Sequence, residues 1–267
     1  MVTFPPCKIN LGLQVLSKQP DGYHTISTCF YPLPWTDVLE ILPSDSMAFT
    51  QTGIVIPGRP EDNLCMKAYH LVKQNFNLAP VQIHLHKIIP AGAGLGGGSS
   101  DGAHTVRLLN IIFSLGLLQE QLMQYASRLG SDCSFFIQDG PMTGKGRGNI
   151  LEPVPVTLRG FYLRLFKPEI HISTAEAYAN VDPQLASTDL QKIIEKPVHL
   201  WKDELRNDFE AYVFKKFPLI QQLKNELYEA GAVYASMSGS GSSVFGIFRN
   251  DGNGAIFSMK ESWSGWL

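Results

Sequence analysis

Residues 90–103 read PAGAGLGGGSSDGA, with Gly92, Gly94, Gly96, Gly97 and Gly98 crowded ahead of two serines and an acid. Glycine permits positive φ and close backbone approach, and the helical spacing that follows from Ala103 supplies unpaired N–H groups and a positive dipole end. Together these features make a cradle for an anion, most naturally a polyphosphate. A flexible linker is the plain alternative; helix onset within two or three residues of the last glycine argues against it. The G-x-G-x-x-G at Gly92, Gly94 and Gly97 does not suit a Rossmann unit, because the strand ahead of it is half polar. No Lys follows the glycines as in a Walker A loop, and the absence of HRD-like and DFG motifs excludes a protein kinase.

Two other groupings carry less. His84 and His86 share one strand face, a spacing that can hold metal, yet no third ligand accompanies them and they read as solvated. Cys7, Cys29, Cys65 and Cys133 are widely spread without a C-x-x-C pair, as expected of four buried or incidental thiols.

The elements that must position the loop are legible around it. VQIHLHKIIP alternates Val81, Ile83 and Leu85 with polar residues, the period of a strand with one wet face in an antiparallel or mixed sheet. DNLCMKAYHLVKQNF predicts a helix capped by Asp62 or Asn63, and QEQLMQYASRLG one that stops at Gly130. The helix after the glycines is apolar around most of its circumference and is expected to be central. The first 60 residues punctuate as β structure. Residues 140–149, GPMTGKGRGN, read as a hinge or boundary; beyond them come a strand (FYLRLF), a helix (STAEAYANV), a helical stretch from Asp203 to Ala230 broken by Pro218, and a strand, Gly/Ser loop and strand in YASMSGSGSSVFGIF. The fold class is α+β.

At 267 residues the chain has room for two domains, expected at 1–150 and 151–267. A charged content of 17% and a net charge of -2 offer no bulk attraction for nucleic acid or anionic membrane, so any anion must be held locally. The N-terminus lacks the layout of a leader, and no run reaches the roughly 18 apolar residues of a membrane span. The expectations are a cytoplasmic location, no nucleic-acid or membrane partner, and a monomer or weak homodimer.

PAGAGLGGGSSDGA resembles the second motif of the GHMP small-molecule kinases, PPCKINLGLQV their first and SMSGSGSSVFGIF their third, in collinear order from about residue 5 to about 248. The resemblance implies a two-domain fold: an N-terminal ribosomal-protein-S5-like ATP-binding domain and a C-terminal ferredoxin-like α/β sandwich that binds substrate in the cleft between them. It also implies ATP and Mg²⁺ as cofactors and transfer of the γ-phosphate to an alcohol. KINLGL, DGYHTI, EDNL and LGSDCSFF are similar to those of family members whose acceptor is a cytidine diphosphate derivative phosphorylated on its 2-hydroxyl. A mevalonate or homoserine kinase of the same family, or a nucleotide-binding module without turnover, are the alternatives.

Residue by residue, the resemblance makes Asp132 the catalytic base and Lys8 its cationic partner; on local sequence alone Asp132 reads equally as a turn or cap and Lys8 as an ordinary surface lysine. Pro90, Gly92, Gly94, Leu95, Gly96, Gly97, Gly98, Ser99 and Ser100 would wrap the ATP phosphates, with Ser99 or Ser100 near Mg²⁺. Asn63 and Lys87 match positions lining the adenine pocket, the alternatives being a helix cap and a solvated strand end. Asn10, Tyr23 and His24 match contacts to the cytidine diphosphate, and Tyr178 a second aromatic against the base, or a core aromatic. Gly239, Ser240 and Gly241 would approach the acceptor, or form a plain hairpin. Cys7 stands where the family usually has Ala. Asp101 at the helix start is in tension with an anion cradle unless it faces Mg²⁺ or solvent, and no role is implied for Lys145 or Asn149.

Overall fold

The computed structural model describes residues 1–184, 189–251 and 262–267. In chain order the strands are β1 (Val2–Thr3), β2 (Pro6–Lys18), β3 (His24–Thr36), β4 (Val38–Pro43), β5 (Ala48–Gly53), β6 (Val81–Lys87), β7 (Met142–Gly146), β8 (Ile150–Pro153), β9 (Tyr162–Phe166), β10 (Tyr234–Met237), β11 (Val244–Phe248) and β12 (Trp263–Trp266). The helices are α1 (Leu64–Lys73), α2 (Gly97–Ile112), α3 (Gln119–Leu129), α4 (Thr174–Ala179), α5 (Leu190–Ile194), α6 (Trp201–Glu204), α7 (Glu210–Lys216) and α8 (Pro218–Glu229). The chain gathers into two compact units: Met1–Lys8, Leu33–Ala91 and Gly96–Asp139 form one, and Ile9–Pro32, Gly92–Leu95 and Gly140–Leu267 the other.

In the first unit a mixed sheet of order β1-β4-β6-β5 backs the helices, with β4 antiparallel and β5 parallel to β6. The alternation of β6 has its expected cause. Val81, Ile83 and Leu85 face inward beside Leu39 and Ile41 of β4, and pack with Cys65, Ala68 and Val72 of α1 and Val106 and Leu109 of α2. On the outer face His84 Nε2 and His86 Nδ1 each lie 2.9 Å from Thr52 Oγ1. Among the described residues no three His, Cys, Asp or Glu side chains converge as metal ligands. Asn63 caps α1 by accepting from the Cys65 amide at 2.9 Å. The helix α3 does stop before Gly130, but with an extended φ of 170° that needs no glycine. All four cysteines are buried and free.

The second unit holds an antiparallel sheet of order β10-β11-β9-β12 and most of a sheet of order β2-β3-β7-β8. Phe166, Val244, Phe248 and Met237 pack with Val213 of α7 and Ile220, Leu223 and Leu227 of α8. The helical stretch expected from Asp203 to Ala230 is three separate helices. Pro218 opens α8 at its first position, where a missing N–H costs nothing. The earlier break at 205–209 arises because tertiary partners claim the backbone: Leu13 N–H donates to Arg206 O at 2.9 Å and Asp208 N–H to Leu13 O at 2.9 Å. GPMTGKGRGN, expected as a hinge or boundary, is a β-hairpin that begins where the last segment of the second unit begins, at Gly140. Its strand β7 pairs antiparallel with β3, Ile26 opposite Gly146 and Phe30 opposite Met142, and its glycines with φ of +66° and +90° (Gly146, Gly148) serve the turn. Among the described residues no helix is long and apolar enough to cross a membrane.

Candidate active site

The glycine loop adopts the backbone that its composition requires. Gly92, Gly94 and Gly96 have φ of +63°, +76° and +69°, and α2 begins immediately after them at Gly97. A Cβ on Gly94 would lie 2.0 Å from Ser238 O, so this glycine is demanded twice, by φ and by space. Gly94→Ala is therefore expected to cost about 1–2 kcal/mol from the left-handed backbone alone, with the overlap in addition. Thermal unfolding checks it, and a midpoint within a degree of wild type would contradict it. Gly98 has nothing within 4 Å of a would-be Cβ, so open space adjoins the positive end of the 16-residue α2 at this residue. Leu95 and Ser100 are buried, while Pro90 and Ser99 are half-buried.

Lys8 and Asp132 meet in the first unit. Lys8 extends from β2 with its side chain 3% exposed, and its Nζ lies 3.4 Å from Asp132 Oδ2, whose side chain is 36% exposed. Asp132 opens the 3-10 turn Cys133–Ile137 without capping it through its side chain, so the local role that its sequence allowed is not the one it takes. Lys8 Cε is 3.1 Å from a would-be Cβ on Gly96, which sets the pair beside the start of α2. The arrangement is a partly exposed carboxylate held by a buried cation next to a helix N-terminus.

Lys87 and Asp101 are also brought together, with a residue that sequence reasoning missed. The fully buried Lys87 ammonium donates to Asp101 Oδ2 at 2.8 Å and to Asp37 Oδ2. Asp37 Oδ1 in turn accepts from the amides of Ile88 and Ile89 at 2.6 and 2.8 Å. Asp101 Oδ1 is buried with no hydrogen-bond partner. Burial, aided by the Asp37 charge and opposed by Lys87, pushes the Asp101 carboxyl up to about 7. Burial alone would lower the Lys87 ammonium, but the two carboxylates outweigh it and its pKa is raised. Asp101 therefore faces neither solvent nor the open end of α2, and the ammonium of Lys87 is engaged by carboxylates within the core. The one sequence signal for Asp37 was an acid interrupting the apolar run LPWTDVLEIL.

In the second unit, residues from distant segments converge around the Gly/Ser loop. Buried Asn10 donates from Nδ2 to Thr28 Oγ1 at 2.9 Å, and its amide donates to Ser238 Oγ at 3.3 Å. Ser238 Oγ donates to Gly94 O at 2.9 Å, and Asn207 Nδ2 donates to Met237 O and Gly239 O at 2.9 and 2.8 Å. Gly239 has φ of +55°, with Asn10 Oδ1 3.3 Å from its would-be Cβ. Gly241, with φ of +91°, has Met237 Sδ 2.8 Å from its own. Ser240 Oγ lies 3.4 Å from Thr174 Oγ1. At the start of β3 the His24 ring stacks on Tyr178 with centroids 4.9 Å apart and planes 23° from parallel, and Tyr178 meets Phe209 edge-on at 4.9 Å. Burial first, then the Lys18 charge, lowers the His24 pKa, keeping the imidazole neutral near pH 7. Tyr23 is 55% exposed. A neutral histidine beside aromatic rings can read the donor and acceptor edge of a base and stack on its face.

Comparison with known proteins gives the family and the fold. Residues 63–142 match the sequence profile of the GHMP kinases N terminal domain, and residues 190–264 that of the GHMP kinases C terminal domain. A 4-diphosphocytidyl-2-C-methyl-D-erythritol kinase of Bacteroides thetaiotaomicron is 50% identical over 256 residues, 94% of this chain and 93% of that protein. One from Parabacteroides distasonis is 48% identical over the full length of both. A crystal structure of 4-(cytidine 5'-diphospho)-2C-methyl-D-erythritol kinase superposes with a TM-score of 0.81 at 29% identity, covering 92% of this chain and 90% of that one. A homoserine kinase from Cytophaga hutchinsonii shares the fold at a TM-score of 0.68 and 18% identity, over 91% and 85% of the two chains.

Proposed function

This chain belongs to the GHMP kinase family as an ATP-dependent small-molecule kinase, and we propose that it transfers the γ-phosphate of ATP to the 2-hydroxyl of 4-diphosphocytidyl-2-C-methyl-D-erythritol, a step of non-mevalonate isoprenoid precursor synthesis. The observation that carries the chemistry is the Lys8–Asp132 pair set beside the glycine loop and the start of α2. Phosphoryl transfer asks a protein mainly for alignment and charge stabilisation. The first turn of α2, with its positive end, would hold the phosphates through Gly96, Gly97, Gly98 and Ser99. Asp132 would take the proton of the acceptor hydroxyl as its oxygen bonds to the γ-phosphorus and the bond to ADP breaks. Lys8 would keep that carboxylate oriented and offset charge that develops on the transferring group.

Mg²⁺ is proposed to enter on the phosphates of ATP. The Ser99 hydroxyl in the first turn of α2 is the hard oxygen donor that suits it, whereas Asp101 is already held by Lys87. When bound, the ion would neutralise charge on the β- and γ-phosphates.

For the acceptor, Tyr23, His24 and Tyr178 would recognise the cytosine, while Asn10, Gly239, Ser240 and Gly241 would lie along the diphosphate and alcohol. Asn63 would contact the adenine through Nδ2, its Oδ1 being engaged by the Cys65 amide. Lys87, its ammonium buried between two carboxylates, would support the loop rather than contact the nucleotide. Supplying ATP with the cytidyl alcohol, mevalonate or homoserine, and following phosphorus NMR, is expected to show ADP and a new phosphomonoester with the first alone. Phosphorylation of mevalonate or homoserine in its place would overturn the acceptor, and ATP binding without turnover of any alcohol would overturn catalysis.

A further inference from the structure

The hairpin β7–β8, to which the sequence assigned no role, touches the proposed base-binding residues. At its tip the Arg147 guanidinium lies over the Tyr23 ring with its carbon 3.7 Å from the centroid. The same guanidinium pairs with Asp21, whose Oδ1 accepts from the Tyr23 amide at 3.0 Å. The Tyr23 amide, with a contribution from Arg147, holds the Asp21 carboxyl below its ordinary value, so the pair persists through neutral pH. Arg147 is itself held in place. Asn149 Oδ1 accepts from its amide at 3.1 Å, Gly148 N–H donates to Lys145 O at 3.0 Å, and Lys145 Nζ bridges to Glu152 at 2.8 Å across the two strands. The pairing of Ile26 with Gly146 ties this tip to β3 within three residues of Tyr23.

A tyrosine that is 55% exposed would ordinarily sample several rotamers, and fixing it on binding a ligand has an entropic cost. Here one ring face is covered by a planar cation, a contact that draws on the ring quadrupole, and the residue's amide is fixed by the carboxylate that also holds that cation. We propose that Arg147 is a positioning residue for acceptor recognition: with Asp21 it clamps one face of Tyr23 in advance, leaving the ring ready to stack against the base of a cytidine nucleotide. The inference rests on the acceptor reading above and adds the group that prepares it. Lys145 and Asn149, which had no place in the chemistry, become the supports of the clamp.

The test separates positioning from contact and from folding. Arg147→Met is expected to raise KM for the cytidyl acceptor about 2- to 10-fold, with kcat, KM for ATP and the unfolding midpoint held. Arg147→Lys is expected to recover part of the loss. In a Tyr23→Leu background the further change to Arg147→Met is expected to have no effect, because the ring that it positions is gone. An unchanged acceptor KM in Arg147→Met, or an equal rise in the Tyr23→Leu background, overturns the proposal. Titration of CMP into the wild-type enzyme, followed by calorimetry, keeps the two readings apart. Wild type that neither binds CMP nor turns over the cytidyl alcohol takes down the acceptor reading and this inference with it. Wild type that does both, beside an unaltered Arg147→Met, overturns this inference alone.

Discussion

Asp132→Asn is expected to lower kcat by about 10²- to 10⁴-fold, the range that a positioned general base contributes, while ATP still binds. The amide keeps the shape and exposure of the carboxylate but has no negative charge and no basic oxygen, so it cannot accept the acceptor's proton. Asp132 neither caps its 3-10 turn through its side chain nor sits in the core, and its side chain is 36% exposed. Its own side chain is partly exposed, but the Lys8 ammonium that it pairs with is 3% exposed, so some fall in the unfolding midpoint is expected and turnover is read well below the midpoint of the variant. The proposed cradle for ATP, in the loop and the first turn of α2, is left intact by the substitution. Calorimetric titration of ATP, read beside steady-state turnover, distinguishes the loss of chemistry from the loss of binding. Turnover within a factor of ten of wild type would remove Asp132 as the base. A parallel loss of ATP affinity would move it from catalysis to nucleotide binding.

The parts of this molecule that were legible in the sequence are those whose physics is local. A strand with one wet face must alternate, and β6 does. Five glycines in seven positions must serve backbone that other residues adopt poorly, and three of them have positive φ. Asn63 lies where a helix needs an oxygen for its first amides. What stayed hidden depends on residues far apart in the chain. Nothing in PWTDVLE announces that Asp37 will meet a lysine 50 positions later. Asp101 looked misplaced near phosphates because its partner was invisible. The break at 205–209 follows from bonds to Leu13, and helical periodicity cannot register a competitor for the backbone that comes from another strand. GPMTGKGRGN reads as a hinge or boundary because its glycines signal a turn equally well in a linker and in a hairpin; the pairing with β3 makes it a hairpin, at the start of a segment of the second unit. That Lys8 and Asp132 meet is suggested only by likeness to a family, since neither residue's neighbours advertise the pairing.

The buried triad carries the second large expected effect. Lys87→Met fills similar volume but leaves Asp37 and Asp101 buried without their cation, a change that costs about 3–5 kcal/mol when one partner of a buried pair is removed. The pH dependence has a definite sign. Asp101 is raised in the folded protein to about 7, from 3.8 in the unfolded chain. Over that interval the native state binds the extra proton, and this group's contribution to stability is full below the unfolded value and falls as pH rises toward 7. Removing Lys87 takes away the interaction that favours the ionised form, so the carboxyl rises further and the penalty at high pH grows. Lys87→Met is thus expected to lose more stability relative to wild type at pH 8 than at pH 5.5, measured from urea midpoints at constant slope. Adding Asp101→Asn to Lys87→Met is expected to recover part of the loss, because one buried charge is then gone. Equal losses at the two pH values, or a change under about 1 kcal/mol at pH 8 against the buried-pair range, would remove the triad as a charged anchor. The consequence reaches function through geometry. Asp101 lies in the second turn of α2, Lys87 ends β6, and a Cβ on Gly97 would be 3.0 Å from Lys87 Nζ, so the triad holds the start of the helix against the sheet. Loss of that hold should weaken ATP affinity even where the variant is folded, and at pH 5.5, where Asp101 can take a proton, part of the affinity is expected to return.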